Sequence, residues 1–212
     1  MPTRVFLVRH GATAYSAEDR FAGSTDVPLS PEGHLQVARL AERLKSESLD
    51  AIYASPLQRT MQTARALAGP HGLEPVGESA LREMNYGRWE AMSRPEVERA
   101  FREAYAAWEK DPISLSPQDG ESGLRVLNRA LPALWRIVER HRNGSVLIVS
   151  HKGPIRLLVS SLLGLELRGF RDRLDLSPAA LSVLDFPSDA GPLLRLYNDV
   201  SHYESIPQRA WP

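Results

Sequence analysis

Apolar residues in this chain fall into short unbroken runs that alternate with stripes spaced three and four apart. That is the pattern of buried strands alternating with amphipathic helices. Val5 to Val8 is the first run, and a loop is expected from there to Leu29. Ser30-Pro31-Glu32 then supplies an N-cap with proline in the first helical position, and Val37, Leu40, Ala41 and Leu44 recur at helical spacing behind it. Asp50 to Ala54 predicts a second strand. Ser55-Pro56 repeats the helix-start signal for a helix with Thr60, Ala64 and Leu67 on one face, ending at Gly69-Pro70. A third strand is expected over Glu74 to Leu81.

Ser93 with Glu96 forms a capping-box signature, and Val97, Phe101, Tyr105 and Trp108 make an apolar stripe behind it, predicting one independent helix in a lid. Such a stripe is more often core packing than a ligand platform, and a lid over a pocket uses both. Pro112 to Gly123 reads as a loop. Leu124, Leu127, Leu131, Leu134 and Val138 then resume the helical period, with Pro132 placed to kink it. Ser145 to Ser150 is a buried-type strand, Ile155 to Leu163 the next helix, and Leu181 to Phe186 and Leu193 to Tyr197 two strands joined around Ser188 to Pro192. This order predicts an α/β domain whose last two strands make the sheet mixed. At 212 residues the expectation is one domain over 1–212, with a lid insertion at about 86–122.

Composition narrows the chemistry. Twenty-six basic residues balance twenty-six acidic ones, so no overall field points to nucleic acid and any basic cluster must be local. The absence of cysteine excludes a disulfide framework, a thiolate metal site and attack on phosphorus by a thiolate. No apolar run approaches the roughly 18 residues of a membrane span, so the expectation is a soluble, cytoplasmic protein without a membrane partner.

Four polar segments stand where strands are predicted to end: Arg9-His10-Gly11, Arg59, Glu83 and Ser150-His151. If those strands are parallel, their carboxyl ends share one face of the sheet, where ligands bind in open α/β folds. The pooled contents are two arginines, two histidines and one carboxylic acid, an inventory that suits phosphoryl transfer. Its transition state spreads negative charge over three oxygens and needs fixed cations and donors, which Arg9, Arg59 and His151 supply. His10 can attack phosphorus through one ring nitrogen if the other donates its proton to a backbone carbonyl. Glu83 can protonate the leaving oxygen and then deprotonate the water that cleaves the phosphoenzyme.

Several motifs occur in a fixed order: Leu7-Val-Arg-His-Gly-Ala-Thr13, Arg20-Phe-Ala-Gly23, Asp26-Val-Pro-Leu-Ser30, Ser55-Pro-Leu-Gln-Arg59-Thr-Met-Gln-Thr-Ala64, Leu81-Arg-Glu83-Met-Asn-Tyr-Gly87-Arg-Trp-Glu90, Gly120-Glu-Ser122 and Val149-Ser-His151. Over almost its whole length the chain resembles the phosphoglycerate mutase-like branch of the histidine phosphatase superfamily. The resemblance implies a three-layer α/β/α sandwich around a mixed, mostly parallel sheet. It also implies His10 as the phosphorylated histidine, Glu83 as proton donor, and Arg9, Arg59 and His151 as the phosphate pocket, with Gly23 and Ser16 beside it. Two departures stand out. Tyr15-Ser16 replaces the aromatic-asparagine pair of many members, which leaves a donor of shorter reach. Lys152 replaces a common glycine after the second histidine, where it either faces solvent or favours an anionic substrate.

The activity this implies is a metal-independent phosphomonoesterase acting on a small phosphorylated metabolite, with no cofactor. A cofactor-dependent phosphoglycerate mutase is the alternative, although no Arg-Arg pair lies between Glu83 and His151. A non-catalytic phosphate-binding or interaction module is the second. His34, His71 and His141 are read as surface or packing residues. The tail residues His202, Tyr203, Glu204 and Trp211 are candidates to fold over the site mouth, and Glu121-Ser122 for a helix start. An exposed apolar lid face or the last strand is the candidate surface for a homodimer.

Overall fold

A computed structural model describes residues 1–203; Glu204 and Trp211 lie outside the described residues. The six strands are β1 (Thr3–Arg9), β2 (Ala51–Ala54), β3 (Val76–Gly77), β4 (Ser145–Ser150), β5 (Leu181–Phe186) and β6 (Leu193–Asp199). They form one sheet in the order β3-β2-β4-β1-β5-β6. β1, β2, β3 and β4 run parallel, while β5 is antiparallel to both β1 and β6. The mixed sheet expected from the adjacent terminal strands is therefore present.

Alternation along the strands divides the core. Phe6 and Val8, with Ile52, Ala54, Leu147 and Val149, meet Val37, Leu40, Ala64 and Leu67 from helices α2 (Pro31–Leu44) and α3 (Gln58–Ala68). Val5 and Leu7, with Tyr53, Val146 and Ile148, meet Val126, Leu134, Ile155 and Leu158 from helices α6 (Gly123–Arg140) and α7 (Lys152–Leu162). Burial on both faces is why these strands read as unbroken apolar runs rather than alternating ones. No helix among the described residues is long and apolar enough to cross a membrane.

Beyond shifts of two or three residues at the ends of α3, α7 and β6, four elements differ from the sequence reading. The loop before Leu29 contains a short helix, α1 (Ala14–Ala17), closed by a capping box between Thr13 and Ser16. The strand expected over Glu74 to Leu81 shrinks to Val76–Gly77. Pro75 has no N–H for a ladder, and the Glu78 side chain accepts from the Ala80 N–H to start a 3₁₀ turn. The predicted lid helix is two, α4 (Arg94–Ala100) and α5 (Arg102–Lys110), separated at Phe101 (φ −134°, ψ 37°), whose ring packs near Trp89 and under Arg88. α6 begins at Gly123, inside the expected loop, with Ser122 as its N-cap, and runs uninterrupted through Pro132. The apolar stripe expected for a lid is core in part: Val97 and Trp108 are buried, and Phe101 and Tyr105 pack against the same cluster.

One close approach decides where the first site loop lies. The first turn of α2 crosses the segment after β1 so tightly that a Cβ on Gly33 would stand 2.1 Å from the Ala12 carbonyl oxygen. The Gly33→Ala variant must therefore push the 10–12 segment away. We expect a loss of about 1–3 kcal/mol in chemical denaturation, together with a lower kcat; wild-type stability would show that the loop yields freely.

Candidate active site

The carboxyl ends of β1, β2 and β4 open on a cavity of about 350 Å³ whose wall includes Arg9, His10, Ser16, Arg59, Glu83 and Lys152. Its position follows from the parallel order of those strands. His151 and Gly23 are brought to the same end of the sheet but stand behind the wall.

His10 leaves β1 with its ring buried and its Nδ1 2.8 Å from the Gly11 carbonyl oxygen. The carbonyl can only accept, so Nδ1 carries the proton and Nε2 keeps its lone pair. Burial, and then the positive charges of Arg59 and Arg9, hold this imidazole well below its ordinary pKa, so it is neutral at neutral pH. His151 packs edge-on against it, with ring centroids 5.2 Å apart. Its Nδ1 accepts from the Arg59 Nε–H at 3.2 Å, which leaves Nε2–H to donate to Ser55 Oγ at 2.8 Å. Burial and Arg59 keep this ring neutral as well.

Arg59 is almost wholly buried on α3, and a chain of contacts fixes it. Its Nη1 donates to the Thr25 carbonyl, and its Nη2 to the carbonyls of Ala22 and Gly23. That loop is organised in turn by Glu90, whose carboxylate accepts the N–H groups of Gly23, Ser24 and Thr25 and the Thr25 hydroxyl. Gly23 passes so close to the Met84 carbonyl that a Cβ would stand 2.0 Å from its oxygen. Gly23 thus serves by close packing and by its carbonyl on Arg59.

Glu83 lies beyond the 3₁₀ turn after β3 and is 8% exposed. Burial raises its pKa against the opposing pull of the Met84 and Gly153 N–H groups and of Arg59 and Arg9. A carboxyl group with a raised pKa is suited to hold a proton and to give it up. Its segment is clamped from α6 by Arg129, which donates to the carbonyls of Ala80, Arg82 and Glu83 and pairs with Glu121 at 2.9 Å. Glu121 is therefore part of this clamp, beside the helix start read at Ser122. The sequence reading missed Arg129; its eight-residue spacing from Glu121, which lies just before the N-cap of α6, is the only signal it leaves.

Arg9 donates Nη1 to the Leu176 carbonyl at 2.6 Å, while its buried Nε has no partner among the described residues. Burial lowers its pKa to about 10. Ser16 lines the cavity, but its hydroxyl donates to the Thr13 carbonyl and accepts from the Thr13 N–H, so it serves α1 first. Lys152 is on the wall rather than turned away, 42% exposed at its side chain. Arg156 and Arg171 also line the cavity and were not singled out in the sequence, where arginine is too common to mark a site. Tyr203 donates its hydroxyl to the carbonyl of Pro178, a wall residue, while neither it nor His202 lines the cavity itself. His141 packs against Tyr53, as read.

The family model described as histidine phosphatase superfamily (branch 1) matches residues 5–200. Phosphoserine phosphatase 1 of Hydrogenobacter thermophilus is 36% identical over 167 residues, 79% of each chain. The chain spans 55% of longer mycobacterial relatives at 34% identity. Among solved structures, Bacillus stearothermophilus YhfR superposes with a TM-score of 0.90 at 30% identity, covering 95% of this chain and all of that one. Mycobacterial glucosyl-3-phosphoglycerate phosphatase, in complex with VO3, gives 0.83 at 28% identity, covering 92% and 98%.

Proposed function

The chain belongs to branch 1 of the histidine phosphatase superfamily, and from that premise we propose that it is a metal-independent phosphomonoesterase working through a phosphohistidine on His10. The observation that carries this reading is the His10 ring: neutral, buried beside two arginines, with Nδ1–H tied to the Gly11 carbonyl. Nε2 attacks phosphorus, the ester P–O bond breaks, and the protonated Glu83 carboxyl gives its proton to the departing oxygen. In the second step water attacks the phosphorus of phospho-His10, Glu83 takes a proton from that water, and the P–N bond breaks. Inorganic phosphate and the starting histidine result.

The charge that builds on the equatorial oxygens is met by Arg9, whose buried Nε has no partner among the described residues, and by the positive charge of Arg59, while neutral His151, with both ring nitrogens engaged, packs behind His10. Fixed donors in a desolvated site act without reorganisation. The relatives' phosphatase names support the same reaction class. We expect phosphate release from p-nitrophenyl phosphate to continue at its full rate in excess EDTA, with an acid-labile phosphoryl group trapped on the protein by rapid quench. A tenfold loss in EDTA that a divalent cation restores would overturn this mechanism.

A further inference from the structure

The cavity wall holds more positive charge than one phosphoryl group uses. Several of its cations are already paired: Arg94 with Asp19 at 2.6 Å, Arg171 with Glu109 at 2.8 Å, and Arg20 with Glu18 at 2.6 Å. Arg59 is spent on carbonyls and His151. Lys152 and Arg156 remain, one helical turn apart on the first turns of α7 and therefore on one face. The Gly153 N–H bond to Glu83 pins that face beside the acid.

Among the described residues, the only carboxylate within ion-pair distance of these two cations is weak compensation. Asp175 is 76% exposed, and its Oδ1 lies 3.4 Å from Arg156 Nη2 and 4.0 Å from Lys152 Nζ. The same oxygen already accepts the Leu176 N–H at 2.7 Å. Arg156 is 8% exposed, and its Nε has no partner among the described residues. A buried guanidinium with an unspent donor, next to a second cation in the same cavity, is costly unless an anion arrives.

We propose that Lys152 and Arg156 form a second anion subsite, beside the phosphate pocket, that binds a carboxylate on the alcohol half of the substrate. The inference rests on the phosphatase reading and deepens it. The planar fork of Arg156 matches a carboxylate, and Lys152 adds a point charge. Burial, Arg156 and Arg9 bring Lys152 down to about pH 8, against the opposing pull of Asp175 and Asp19.

Matched esters test this. O-phosphoserine is compared with O-phosphoethanolamine, and 3-phosphoglycerate with glycerol 3-phosphate, each pair differing at the carboxylate. The intact enzyme is expected to favour the carboxylate ester in both pairs by about thirtyfold in kcat/KM. Lys152→Gln and Arg156→Gln should each shrink that ratio about tenfold, mainly through KM, in line with the loss of one charge-assisted hydrogen bond. The preference should also fade as pH rises past about 8, where Lys152 loses its charge, and Lys152→Arg should abolish that fading. Arg156 is buried and its variant can lose stability, so Lys152→Gln, at a half-exposed head group, decides the matter. Release from all four esters at matched rates, or an unchanged ratio in Lys152→Gln, would overturn the subsite alone. Release from none of them, nor from p-nitrophenyl phosphate, would overturn the phosphatase reading and the subsite with it.

Discussion

His10→Ala is expected to lower kcat by at least about 10⁴-fold and to remove the trappable phosphoryl group, because among the described residues no other free imidazole stands at the cavity to take its place as nucleophile. The nearest candidate is His151, whose ring lies 5.2 Å away. Its Nδ1 lone pair is occupied by the Arg59 Nε–H, and its Nε2 carries a proton towards Ser55. Neither nitrogen offers electrons to phosphorus. Among the described residues the His10 side chain makes one hydrogen bond, to the Gly11 carbonyl, so its removal should leave the fold intact, as circular dichroism can verify. Turnover within tenfold of wild type in a folded His10→Ala protein would strike His10 from the mechanism.

Glu83→Gln is expected to cost about 10² to 10⁴ in turnover of an alkyl phosphate, the usual worth of a positioned acid–base group. The loss should divide between the two steps in a recognisable way. p-Nitrophenolate leaves without help, so with that ester the variant should phosphorylate His10 quickly and then stall, giving a burst of nitrophenol and accumulated phosphoenzyme. The pH profile carries a second signature. Burial raises the Glu83 pKa, and the proton donor of the first step is its protonated form. Activity towards alkyl phosphates should therefore persist above the ordinary carboxyl range and fall as pH rises through the raised pKa. In Glu83→Gln that alkaline limb should be absent. A variant with an unchanged limb and no burst would assign the proton transfer elsewhere.

Arg9, His10, Arg59 and His151 could be placed from the sequence because each sits at or beside an element whose period is plain in the apolar pattern, whereas Glu83 follows a 3₁₀ turn that replaces most of the strand expected before it. Parallel strands carry such residues to one end of the sheet. Gly33 and Gly23 could be read as turn residues but not as packing points, since the backbone they admit comes from distant segments: Ala12 for the first, Met84 for the second. The break between α4 and α5 at Phe101 was invisible for a related reason. Its spacing satisfies one continuous helix, and the contacts with Trp89 and Arg88 come from another part of the chain.

Local periodicity and capping chemistry, which act over a few residues, determined the α/β order, the helix starts at Ser30 and Ser93, and the identity of the polar groups at the strand ends. Tertiary structure alone decided which charges are free. The pairings of Arg94 with Asp19, Arg171 with Glu109 and Arg129 with Glu121 span 75, 62 and 8 residues, and they consume cations that composition could only count. What they leave on the cavity wall beside His10, Arg9 with Lys152 and Arg156, is set by burial and distance, and these exist only once the chain has closed on itself.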